Sequence, residues 1–208
     1  MPKFAVVATE DGTTVQFSPS DTTFTGQLPN PGSPYTITLN KGDAYLVTSR
    51  TKKEGIGDYV LDLSGSFVCA DKPIAVFNGN QQTSIPISVT KARNFATEHS
   101  LPIASWGTEF YLTKLERTKI NYFRITAAYD NTTVTVKTEN NPGGATLSLQ
   151  KGQSTSIDED YIVGVDANEF VITSNYPVIL YTYNGIIIMI RIHIKICFRH
   201  IKGIKHCV

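Results

Sequence analysis

The chain states one pattern twice. Phe4-Ala-Val-Val-Ala-Thr-Glu-Asp-Gly-Thr-Thr-Val-Gln-Phe17 returns 119 residues later as Phe123-Arg-Ile-Thr-Ala-Ala-Tyr-Asp-Asn-Thr-Thr-Val-Thr-Val136. The later motifs of each copy also keep their order. Tyr35-Thr-Ile-Thr-Leu-Asn-Lys-Gly42 precedes Phe67-Val-Cys-Ala-Asp-Lys-Pro-Ile-Ala-Val-Phe77, and Ala145-Thr-Leu-Ser-Leu-Gln-Lys-Gly152 precedes Phe170-Val-Ile-Thr-Ser-Asn-Tyr-Pro-Val-Ile-Leu180. A pattern repeated in sequence and in order is one supersecondary unit duplicated, so any fold proposed for one copy must also fit the other.

Each copy is written in strand periodicity. Tyr35–Leu39 and Ala145–Leu149 alternate apolar and polar residues, placing one face on a core and one in water. Asp11-Gly12 and Asp130-Asn131 stand between apolar runs and tolerate the positive φ of a tight hairpin, which is expected to join strands 4–9 to 13–17 and 123–128 to 132–136. Asn40-Lys-Gly42 and Gln150-Lys-Gly152 mark a second shared turn. Pro73 and Pro177 are expected at the first position of a strand, where a missing N–H costs least. The runs after them, Ile74–Phe77 and Val178–Tyr181, are apolar on both faces and read as buried central strands. Lys91–Ser100 is the one stretch compatible with a short helix, ended by Pro102. The fold class is all-β: tandem antiparallel β-sandwich-like repeats. Repeat one is expected over 1–82 and repeat two over 118–185. Between them, 83–117 connects the copies and carries the first strand of the next unit, and an Ile-rich basic tail occupies 186–208.

The formal charge of +1 averages two regions, because 186–208 holds five of the nineteen Lys and Arg and no acid. The body keeps fourteen basic against eighteen acidic side chains, a net of −4, which gives no electrostatic footprint for nucleic acid. Met1–Glu10 lacks the apolar core of a secretory signal. The chain opens directly on a strand pattern, as a piece of a longer gene product would. Three cysteines, Cys69, Cys197 and Cys207, are too few for a disulfide scaffold.

Three ordered motifs carry a resemblance over residues 4–185: Ala5–Val15, Leu63-Ser-Gly-Ser-Phe-Val-Cys-Ala-Asp-Lys-Pro-Ile-Ala-Val-Phe-Asn-Gly-Asn80, and Leu101-Pro-Ile-Ala-Ser-Trp-Gly-Thr-Glu-Phe110. The chain resembles the N-terminal domain family of IgG Fc-binding proteins, found in mucus-associated animal proteins and in bacterial surface or secreted proteins. The resemblance implies an extracellular or cell-surface binding protein and supplies no catalytic residues. Animal members usually place cysteines after the Phe-Asn-Gly-Asn motif and ahead of the Leu-Pro-Ile-Ala-Ser-Trp-Gly motif. Here Gln81–Ile85 and Ala92–Phe95 stand in those places, as expected of a bacterial-type member.

The tail Ile186–Val208 contains nine Ile and matches nothing in the first copy. Its charges interrupt any 18-residue apolar span, excluding a transmembrane helix, and it is expected to be a frameshifted or read-through end outside the core. Cys197, His200, His206 and Cys207 offer zinc-type ligands. Only Gly203 supplies a turn signal to orient them, so no metal site is assigned.

No Gly-x-Ser-x-Gly, P-loop or dinucleotide fingerprint occurs, and no cofactor is expected. His99 reads as a surface or capping residue, Asp158-Glu-Asp160 as a solvated turn, and Trp106 as a packing residue. Asn131-Thr-Thr133 matches a glycosylation acceptor, but copy one has Gly12 there, so turn geometry explains the asparagine equally well. The remaining candidate is Asn78-Gly-Asn-Gln-Gln-Thr-Ser84, read as a polar loop leaving a buried strand. Asn78, Asn80, Gln81 and Gln82 are its expected ligand-binding residues, since amides both donate to and accept from sugar hydroxyls or peptide backbone. The expected function is a non-enzymatic module recognising glycoprotein or protein surfaces. The alternatives are a structural spacer or a glycan-active hydrolase, which needs two facing carboxylates.

Overall fold

A computed structural model describes residues 2–23, 33–54, 57–60, 62–83, 94–113, 121–158 and 167–184. The polypeptide divides into two compact units. Among the described residues the first holds 2–83 and 95–105, the second 94 and 106–184.

The first unit contains β1 (Pro2–Ala8), β2 (Thr13–Ser18), β3 (Tyr35–Leu39), β4 (Ala44–Thr48), β5 (Thr51–Glu54), β6 (Gly57–Val60), β7 (Phe67–Ala70), β8 (Ile74–Thr83) and β9 (Asn94–His99). One antiparallel sheet runs β4-β1-β8-β9, a second runs β3-β2-β7, and β5 and β6 form a separate hairpin. Alternation in β1 and β2 buries Phe4, Val6, Ala8, Val15 and Phe17. With Leu39, Val47, Val68 and Val76, they form one apolar cluster drawn from both sheets.

The second unit contains β10 (Gly107–Thr113), β11 (Asn121–Ala127), β12 (Thr132–Thr138), β13 (Asn141–Leu149), β14 (Ser154–Asp158) and β15 (Glu169–Asn184). The sixteen residues of β15 serve as two strands: residues 170–174 pair with β12 and residues 178–184 with β11. The resulting order, β13-β12-β15-β11-β14, contains the first unit's two sheets, with β7 and β8 fused into one strand. Phe123, Ile125, Ala127 and Val134 are buried where Phe4, Val6, Ala8 and Val15 are in the first copy. Val136 replaces Phe17, and the aromatic pairing is kept by another route: Phe4 meets Phe17 at 6.1 Å, whereas Phe123 meets Phe170 edge-on at 5.0 Å.

Several expectations need correction. Asp11-Gly12 and Asp130-Asn131 do not close hairpins: β1 and β2 lie in different sheets, and β11 and β12 are likewise unpaired. The positive φ is real, 62° at Gly12 and 57° at Asn131, but it carries the chain between strands that do not pair: from one sheet to the other at Gly12, and past the intervening β15 within one sheet at Asn131. The turns at Asn40–Asp43 and Asp71–Pro73 make the same crossing, because β3 and β7 lie in one sheet and β4 and β8 in the other. Pro177 lies inside β15 rather than at a strand start, where the strand exchanges β12 for β11 and the lost N–H is tolerated. The run Ile74–Phe77 is buried on one face only: Val76 is enclosed, while Phe77 is 44% exposed. Residues 94–99, expected within a short helix, form β9. Its exposure alternates, and Thr97 Oγ1 donates to the Asn78 carbonyl, so pairing along the β8 edge overrides local propensity. Asn78–Thr83 is strand rather than loop, paired with β1 through Asn80 opposite Pro2. A single 3-10 turn, Ile103–Ser105, precedes β10. Ser84 and the tail at 186–208, its four zinc-type ligands included, fall outside the described residues.

Candidate functional site

At one end of the first unit, three sheet-crossing turns are tied by side chains to neighbouring backbone; in the second unit the equivalent places are two turns and the stretch of β15 around Asn175. In the first, Asp11 Oδ1 accepts from Lys41 N (2.9 Å), Asn40 Oδ1 from Gly12 N (3.1 Å), Asp43 Oδ2 from Asn40 N (2.8 Å) and Asp71 Oδ1 from Thr14 N (2.8 Å). Thr13 Oγ1 donates to the Glu10 carbonyl at 2.7 Å, and Lys72 Nζ to the Asp11 carbonyl. The second unit repeats the scheme with different residues. Asp130 Oδ1 accepts from Lys151 N (3.0 Å), Gln150 Oε1 from Asn131 N (3.3 Å), Gln153 Oε1 from Gln150 N (2.9 Å) and Asn175 Oδ1 from Thr133 N (2.7 Å). Thr132 Oγ1 donates to the Tyr129 carbonyl at 2.6 Å, and Asn175 Nδ2 closes the corner onto the Asn131 carbonyl at 3.1 Å, the task of Lys72 in the first copy. Together these bonds hold each turn in one conformation.

The frames coincide, but the groups they present do not. Ala70 and Ser174 stand opposite Val15 and Val134 respectively, so Asp71 corresponds to Asn175 and Lys72 to Tyr176. Glu10 corresponds to Tyr129 and Asp43 to Gln153. The first corner therefore presents Glu10, Asp43, Asp71 and Lys72, while the second presents neutral residues in all four places. Tyr129 and Tyr176 lie T-shaped with ring centroids 6.0 Å apart, 44% and 45% exposed.

Two exposed carboxylates have displaced titrations. The Thr14 backbone N–H donating to Asp71 holds its carboxyl below the usual range, and the Asn168 backbone N–H, aided by that of Glu169, does the same for Glu139. Both carboxylates are pushed toward the ionised acceptor. A general acid needs the opposite shift.

The expected binding residues lie on β8. Asn78 is half-buried, and its Nδ2 donates to Ser100 Oγ at 2.8 Å. Asn80 is half-buried opposite Pro2, Gln81 is exposed, and Gln82 follows in the strand. Gly79 between the two asparagines is held by β9: a Cβ there would stand 3.0 Å from the Ala96 carbonyl. Asn78 and Asn80 thus share one face of the strand, and Gln81 lies on the other. Leu46 and Phe77, both opposite Ala5, form an exposed row with His99, whose ring lies 5.1 Å from that of Phe77. His99 is accordingly a surface residue. Trp106 is half-buried beside β10, Asp158 ends β14, and residues 159–160 lie outside the described residues. The left-handed φ shared with Gly12 accounts for Asn131 by turn geometry. Cys69 in β7 forms no disulfide.

Sequence reasoning passed over the tyrosine corner. Its signal was the pair of places where the copies differ most in chemistry, Glu10 against Tyr129 and Lys72 against Tyr176. The second of these emerges only when the copies are aligned on their prolines.

Turns fixed on a rigid β scaffold are places where binding residues concentrate. The chain belongs to the IgGFc binding protein family, whose model matches residues 1–186 and so takes in the described strands of both units. No curated protein and no solved structure matches it. Among the described residues no helix is long and apolar enough to cross a membrane.

Proposed function

We propose that this chain is a non-enzymatic recognition module of an extracellular or cell-surface protein, binding glycoprotein or protein surfaces through polar and aromatic groups on a rigid β scaffold. The observation that carries this reading is the doubled corner. Matched hydrogen bonds hold the same turns in both copies, while the residues at their tips change from charged to neutral and aromatic. A fixed backbone beneath variable tips lowers the ordering cost of binding. A pure spacer has no need of exposed aromatic tips.

The end of β8 is a second contact region in this reading, favoured by Gln81, which is exposed beside the half-buried Asn80. Asn78, Asn80, Gln81 and Gln82 are its proposed ligand-binding residues. The test is retention of the full chain on immobilised mucin and on immunoglobulin Fc. Saturable binding to at least one is expected. The joint substitution Asn80→Ala, Gln81→Ala and Gln82→Ala should weaken it at least about tenfold with an intact circular dichroism spectrum, since three hydrogen bonds of about 0.5–1.5 kcal/mol each are lost. Wild-type chain retained on neither surface returns the molecule to the spacer reading. Unchanged retention by the folded triple variant removes the β8 end as a contact.

A further inference from the structure

We propose that the Tyr129–Tyr176 pair, with Asn131 in the turn that follows Tyr129, is a subsite for one neutral hexopyranose ring, a proposal that rests on the recognition-module reading above. Three observations converge on it. First, the fold does not require the rings. The first unit builds the same corner with Glu10 and Lys72, and the closure that Lys72 makes onto the Asp11 carbonyl is made in the second unit by Asn175 on the Asn131 carbonyl. Both tyrosines are left with almost half their surface in water, although burying ring surface is favourable.

Second, the backbone beneath the rings is fixed. The Tyr129 carbonyl accepts from Thr132 Oγ1 at 2.6 Å, the Tyr176 carbonyl from Ser174 Oγ at 2.7 Å, and Ala128 N donates to the Pro177 carbonyl at 3.1 Å. With two side-chain torsions each, tyrosines on such a base present apolar area at small entropic cost.

Third, the turn that follows Tyr129 carries an exposed, neutral polar side chain. Asn131 donates its N–H to Gln150 Oε1 and accepts Asn175 Nδ2 on its carbonyl, so its backbone is occupied while its side chain is exposed. A carboxamide can donate to one hydroxyl and accept from its neighbour. From the first corner to the second, three carboxylates and one ammonium are lost at equivalent places: Glu10, Asp43, Asp71 and Lys72 become Tyr129, Gln153, Asn175 and Tyr176. The Asp130 carboxylate, which accepts from Lys151 N, is kept as Asp11 is in the first corner; the four changed tips are matched by a pyranose, with its apolar C–H face, vicinal hydroxyls and lack of charge.

The test titrates the full chain with methyl β-galactopyranoside, methyl β-glucopyranoside and N-acetylglucosamine, read by NMR shifts of the tyrosine rings. Saturable shifts of both Tyr129 and Tyr176 with at least one sugar are expected. Tyr129→Glu with Tyr176→Lys transplants the first unit's own tip and so should preserve the fold; it should abolish the binding. Tyr176→Phe should keep it, and Asn131→Gly, the residue of copy one at a positive φ, should weaken it several-fold. Shifts confined to other residues, or none with any of the three sugars, overturn the proposal. So does binding to immobilised mucin that survives periodate oxidation of its glycans and the tip transplant, an outcome that leaves the recognition-module reading standing with a protein ligand. A chain that binds neither sugar nor glycoprotein sinks both.

Discussion

Asp71 and Asn175 occupy one place in two copies of one frame, each accepting a backbone N–H from the threonine opposite it, Thr14 at 2.8 Å and Thr133 at 2.7 Å. Only the first can lose its charge. The Thr14 N–H lowers the Asp71 pKa, so the native state stabilises the carboxylate relative to the unfolded chain. That contribution is complete above the unfolded value of about 3.9 and is lost as pH falls through the lower folded value. The first corner should therefore be acid-sensitive where the second is not. In an NMR titration the Thr14 amide should move with a midpoint below about 3.9, and no such step is expected at Thr133. Asp71→Asn copies the second unit's solution and should flatten the decline of melting temperature in acid while leaving the neutral value nearly unchanged. An equally steep acid decline in the variant would show that the Asp71 contact does not govern it.

At the scale of elements, the frame depends on how strands meet, and there sequence is a partial guide. Alternation marks β3, within Tyr35–Leu39, and the end of β13, because one face must be apolar wherever a core lies on one side. It cannot say which strands pair. Asp-Gly and Asp-Asn satisfy a positive φ equally in a hairpin and in a turn between strands that do not pair, so the dipeptides located the turns and misassigned their partners. The amides of Asn78–Gln82 imitated a loop because strand β8 runs on between β1 and β9, whose backbones satisfy it whatever its side chains are. The tyrosine corner was hidden by one residue: motif matching sets Phe67 against Phe170, whereas the ladders set Val68, 3% exposed, against Ile172, fully buried. Gly79 tests the β8–β9 junction directly. A methyl group there meets the Ala96 carbonyl at 3.0 Å and Thr97 Oγ1 at 3.4 Å, so Gly79→Ala should destabilise by about 1–3 kcal/mol and speed hydrogen exchange along β9. Unaltered stability and exchange would mean that β9 yields without cost.

At the scale of the whole molecule, the described residues form two cores rather than one: Phe4, Val6, Val15, Phe17 and their neighbours in the first unit, and Phe123, Ile125, Val134, Phe170 and theirs in the second. Two cores let one frame be held twice while its tips diverge, because a unit that buries its own apolar face does not need its twin's side chains to stay folded. That separation is open to measurement. Phe17 is fully buried and lies 6.1 Å from Phe4 and 5.5 Å from Tyr45. Phe17→Ala should cost about 3–5 kcal/mol, and the loss should fall on the unit that contains it. Amides of Val6 and Val15 should exchange faster while those of Ile125 and Val134 keep their protection. Phe170→Ala should produce the converse pattern. If either substitution raised exchange in both cores together, the two units would be one cooperative body, and a change at one tip could no longer be treated as independent of the other.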